Sequence, residues 1–74
     1  IRFEMPYAGN VDLSIYNLLG MKVRTLYNGQ KSAGVFSFKW DGKNDHNQSV
    51  SGGVYIYKLQ SGQQMQMHKM ILLK

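Results

Sequence analysis

The residues best suited to chemistry lie in one polar stretch, Asp41 to Gly53. There Asp41, Asn44, Asp45 and Asn47 offer side-chain oxygens at short spacing, which is what a calcium ion requires. The order of an EF-hand loop is not met. With Asp41 as its first position, Lys43 falls at the third, His46 at the invariant glycine and Gly52 at the closing glutamate. Asx-turns account for the same residues, because Asn and Asp side chains accept hydrogen bonds from nearby backbone N–H groups. A zinc site needs several ligands at close spacing, and the only histidines, His46 and His68, stand far apart. Hydrolytic chemistry needs paired carboxylates or a nucleophile with a base. The chain holds only Glu4, Asp12, Asp41 and Asp45 as acids, with no cysteine. Neither a G-x-S-x-G elbow nor a phosphate-binding loop occurs. We expect no catalysis, no cofactor and no required metal. Asn47-Gln48-Ser49 fits the N-glycosylation acceptor pattern, which has meaning only in a eukaryotic secretory setting.

The polar stretch joins two strand-like runs. Phe36, Phe38 and Trp40 alternate on one, Tyr55, Tyr57 and Leu59 on the other. Residues two apart share a face of a strand, so six large side chains are expected to meet in one core. Upstream, Ile1, Phe3 and Met5 alternate with Arg2 and Glu4, and Pro6 ends that run. Val11, Leu13 and Ile15 form the next. Asn17 to Gly20 reads as a tight turn, with Leu18 or Leu19 tucked beneath it. A third strand runs from Lys22 to Tyr27, where Leu26 is out of phase with Val23, which implies a bulge or an early end of the strand. Asn28-Gly29 reads as a turn. Further strands are expected at Val35 to Trp40, Val54 to Gln60 and Gln64 to Leu73. In the last, Met65 and Met67 differ in parity from Met70 and Leu72, so an irregularity near His68-Lys69 would bring all four to one core face. Tyr7, Tyr16 and Tyr27 are expected to be half-buried packing residues, with stacking on bases or sugars as the alternative.

Turn signals at short, regular spacing mark an all-β chain. The expected architecture is a small Ig-like antiparallel β-sandwich of six to seven strands, one domain over residues 1–74. The chain opens on Ile1 in mid-strand, as a piece of a longer protein would, and one strand is expected to precede it. No run of residues is long and apolar enough for a transmembrane segment. The formal net charge is +5, for which a solvated, mildly basic surface is the ordinary account and attraction to an acidic partner the functional one. Its nine basic residues are scattered, however, which argues against nucleic acid.

Taken together, IRFEMPYAGNVDLSIYNLLGMKVRTL, GVFSFKWDG, SGGVYIYKL and the closing KMILLK resemble the type A C-terminal sorting domain of type IX secretion cargo. That family is related to the Ig-like domains of flagellar hook-capping proteins. The resemblance implies a non-catalytic domain that takes its parent protein through the periplasm and outer membrane, to the cell surface or medium. Its implied partners are the outer-membrane translocon and a sortase-like peptidase, and, after processing, an anionic lipopolysaccharide. The recognised residues would be Gly53, Tyr55, Lys69, Met70, Ile71, Leu72, Leu73 and Lys74. The sequence departs from the family where Asn44 replaces an acidic residue and Asn47 a glycine. Two other readings stay open. One is a structural Ig-like module, of the hook-cap type or a spacer beside a catalytic domain. The other is a module that binds carbohydrate or nucleic acid.

Overall fold

The computed structural model describes residues 1–73. Six strands form two antiparallel sheets: β1 (Arg2–Met5), β2 (Gly9–Tyr16), β3 (Lys22–Lys31), β4 (Gly34–Ser37), β5 (Gly53–Ser61) and β6 (Gln64–Leu72). β1 pairs with β4, and the larger sheet has the order β3-β2-β5-β6. The fold is the expected all-β, Ig-like one.

Strand β2 lies inside the larger sheet, and its inward residues Val11, Leu13 and Ile15 are the most completely buried apolar side chains. Burying each contributes roughly 1.5–3 kcal/mol. The centre of the molecule is therefore β2, with the expected aromatic set packed around it. Of that set Trp40, Tyr55 and Leu59 are buried, while Phe36, Phe38 and Tyr57 are half-buried against the core. The β1–β4 sheet covers one half of β2, bringing Phe3 and Met5 onto Val11, Leu13 and Leu59. Trp40 and the loop that follows it cover the other half, where Ile15 and Tyr55 lie.

Four local expectations are corrected. First, Asn28-Gly29 does not turn. β3 runs on to Lys31 because Val11 and Asp12 offer strand partners there, and Asn28 Nδ2 donates to Asp12 Oδ2 at 3.0 Å. Second, the Asn17 turn holds itself together with polar bonds. Asn17 Oδ1 accepts from the N–H of Leu19 at 2.9 Å and of Met21 at 3.0 Å, and Gly20 takes φ +85°. Leu18 and Leu19 consequently point to solvent. Third, β6 pairs with β5 in unbroken register from Gln64 to Leu72. Period two is retained, so Met65 and Met67 stay on the outer face while Met70 and Leu72 pack inward. Fourth, β4 ends at Ser37, so Trp40 enters the core from the loop.

Of the two expectations at Leu26, a bulge is present and the strand does not end early; a second bulge occurs at Val23. Between Leu13↔Tyr27 and Ser14↔Thr25, and again between Ile15↔Arg24 and Tyr16↔Lys22, β3 has one extra residue. The two bulges change the parity of β3, so Val23 and Leu26 both reach the core.

Candidate interaction surface on the last hairpin

The oxygen-rich loop is built into the frame of the domain. Trp40 Nε1 donates to the carbonyl of Lys43 at 2.9 Å, which fixes the loop over the indole. Asn44 Oδ1 accepts from His46 N–H at 2.9 Å and from Gln48 N–H at 3.0 Å. Asp45 joins the loop to the free edge of β3. Its N–H donates to Val23 O at 3.0 Å, and its Oδ1 accepts from Thr25 N–H at 2.9 Å. Arg24 reaches back, 3.6 Å from Asp41 Oδ1 and bonded to Asn44 O at 3.3 Å. Of the two carboxylates weighed as metal ligands, Asp45 thus serves as an acceptor at a sheet edge, and Asp41 Oδ1 accepts from Lys43 N–H within the loop at 3.1 Å. Among the described residues no three histidine, aspartate or glutamate side chains come together. Asn47 has φ +62°, a backbone state that asparagine tolerates better than most residues.

The other edge of the large sheet is β6, which has no strand beside it among the described residues. An edge strand presents unpaired backbone groups, and a long flat one readily accepts another strand. The residues expected to be recognised divide here. Tyr55 is buried, meets Trp40 at 5.0 Å between ring centroids, and donates from its hydroxyl to Ser51 O at 2.6 Å. Met70 and Leu72 pack on the same cluster, and Gly53 pairs with Leu72. These four residues serve the fold. Lys69, Ile71 and Leu73 are exposed, Ile71 at 68% and Leu73 at 85%. Lys74 lies outside the described residues. Met65 and Met67, which sequence reasoning assigned to the core, extend this outer face together with Val54. Neither β5 nor β6 contains an acidic residue, so Lys58 and Lys69 make this hairpin apolar and cationic.

The chain matches the sequence pattern of the FlgD Ig-like domain over residues 3–64. It belongs to the FlgD Ig-like domain family. Among solved structures it is similar to FlgD from P. aeruginosa, with a TM-score of 0.74 and 28% identity. The likeness covers 96% of this chain and 57% of that one, so the domain spans little more than half of the FlgD chain it matches. No curated protein sequence matches significantly. The family match ends at Gln64, where β6 begins. The exposed hairpin face of this FlgD-type domain is therefore carried largely by a strand outside the matched region.

Proposed function

We propose that the chain is a non-catalytic Ig-like module with a structural role in its parent protein, of the FlgD type. The family match across residues 3–64 carries this reading. The hydrogen bonds of the Asp41 to Ser51 loop support it, since the polar groups that could do chemistry hold the loop to β3.

A second and finer reading is favoured by one observation. β6 is an open edge strand that exposes Lys69 and Ile71. A type IX sorting domain would be read at this strand, by translocon strands that pair with its backbone and seat its apolar side chains. Localisation at the cell surface or in the medium, the sortase-like peptidase and the anionic lipopolysaccharide belong to this second reading.

One experiment separates the two. The domain is fused to a fluorescent reporter in a host with a type IX system, in three forms: intact, lacking residues 71–74, and carrying Lys69→Ala with Lys74→Ala. The structural module leaves all three forms in the periplasm. A sorting domain takes the intact form to the surface, and the double lysine variant folds but is retained. Surface delivery of all three forms equally would overturn recognition at this strand.

A further inference from the structure

A concavity lies at the end of the sandwich away from the Trp40 loop. Its volume is about 480 Å³, and it opens between the Pro6–Asn10 turn and the β5–β6 hairpin. β1 reaches it with its last two residues and β6 leaves from it with Gln64 and Gln66, so both strands lead from this cleft toward the chain ends. Its floor is apolar, made by the core residues Met5 and Leu59. Its rim is polar and carries the side-chain amides of Asn10, Gln63, Gln64 and Gln66. None of these four makes a side-chain hydrogen bond within the chain among the described residues. The lining holds one carboxylate, Glu4, and no lysine, arginine or histidine.

At the mouth stands Tyr7, 81% exposed. Sequence reasoning placed this ring in half-buried packing. Instead Pro6, with its fixed φ, directs the chain out of β1, and the Tyr7 ring gains no intramolecular stacking partner among the described residues. Tyr16 and Tyr27, by contrast, are half-buried as expected. An aromatic ring left in water keeps its apolar face available for a ligand. Each neighbouring amide offers both a carbonyl acceptor and N–H donors. A cleft of several hundred Å³ with an apolar floor and a few convergent polar groups has the make-up of a small-ligand site.

From this set we infer that the cleft binds a neutral carbohydrate. A pyranose has a C–H face that stacks on an aromatic ring, and edge hydroxyls that both donate and accept. Tyr7 meets the first requirement, and the four amides meet the second. Glu4 can accept from a further hydroxyl. Although the whole chain carries +5, no cation lines this cleft, so a polyanion has no partner there. The inference is independent of how the parent protein is sorted, because β6 contributes to the cleft only Gln64 and Gln66, at the opposite end of the strand from Lys69 and Ile71.

The test is an NMR titration of the 74-residue domain with soluble gluco-, xylo-, manno- and chito-oligosaccharides at millimolar concentration. A sulfated heparin oligosaccharide and a synthetic apolar strand peptide serve as comparison probes. At least one neutral sugar is expected to shift the amide signals of Asn10, Gln63, Gln64 and Gln66. Tyr7→Ala is expected to weaken that binding about tenfold or more. Its melting temperature should stay unchanged, because the exposed ring adds little to the core. No shifts with any neutral sugar would overturn the proposal. So would binding that Tyr7→Ala leaves intact, shifts from the sulfated probe alone, or occupation of the cleft by the peptide alone.

Discussion

The ammonium of Lys31 lies 4.5 Å from the centroid of the Phe36 ring. Tyr27 and Phe38 stand at 4.8 and 5.4 Å from the same nitrogen, so three rings surround one cation. Tyr27 and Lys31 belong to β3 of the large sheet, Phe36 to β4 of the small one. The lysine therefore joins the two sheets at a point where the aromatic rings are only half-buried. A cation over an aromatic ring is worth about 0.5–1 kcal/mol when exposed and about 2 when desolvated. Three rings share one charge, so their contributions do not add. Lys31→Gln is expected to cost about 1 kcal/mol by urea denaturation, with Lys31→Arg closer to wild type. Equal stability of Lys31→Gln and wild type would show that the cage contributes nothing.

Trp40 has two roles, and two substitutions separate them. The ring fills the cluster with Ile15 and Tyr55, and Nε1 holds Lys43 O at 2.9 Å. Trp40→Ala removes both and is expected to cost about 3–5 kcal/mol, a large share of the stability of a small domain. Trp40→Phe keeps an aromatic ring but leaves the Lys43 carbonyl without its donor. Its hydrogen-bond share is expected to be about 1 kcal/mol, added to the cost of lost volume. A melting curve unchanged in Trp40→Ala would refute the core assignment.

Much of the fold was legible because period two is a direct consequence of strand geometry. Val11, Leu13 and Ile15 alternate cleanly, and so do Tyr55, Tyr57 and Leu59. The phase break at Leu26 allowed a bulge or an early end, and pairing with β2 decides for the bulge. What was not legible depends on partners distant in sequence. Asn28-Gly29 is a turn dipeptide in isolation, and only Val11 and Asp12 across the ladder make it strand. The central role of β2 follows from its neighbours β3 and β5, which no local pattern reveals. For the candidate surface, alternation alone divided Met65 and Met67 from Met70 and Leu72. Seeking one apolar face for all four required an irregularity that β6 does not have. Arg24 and Asp45 lie far apart in the chain, so nothing local marked their part in holding the loop to β3.

Asn47 sits where its backbone conformation selects the residue. With φ +62° it pays the cost of a left-handed state. Asn47→Gly is expected to be neutral or slightly stabilising, whereas Asn47→Val should cost about 1 kcal/mol or more. Thermal denaturation of the pair checks this, and a valine variant as stable as wild type would contradict it.

The Asn17 turn offers the sharpest contrast between polar and apolar residues in one short loop. Its two leucines are conspicuous in the sequence, yet Leu18 is 63% and Leu19 83% exposed. Stability at this turn comes from the asparagine, whose side-chain oxygen satisfies two backbone N–H groups that the bend would otherwise leave to water. The same residue closes the turn through its backbone, with Asn17 N–H donating to Met21 O and Gly20 N–H to Asn17 O, each at 3.0 Å. Asn17→Ala removes only the side-chain bonds, and loss of such a cap costs typically about 1 kcal/mol. Leu18→Ser and Leu19→Ser remove apolar surface that is already in water. They are expected to leave the urea midpoint within about 0.5 kcal/mol of wild type, as surface substitutions usually do, and to raise solubility. Hydrogen exchange at the amides of Leu19 and Met21 supplies a local readout. It should accelerate in Asn17→Ala and stay unchanged in the serine variants. If instead the serine variants lose more stability than Asn17→Ala, the leucines are packed and the turn is not held by its asparagine.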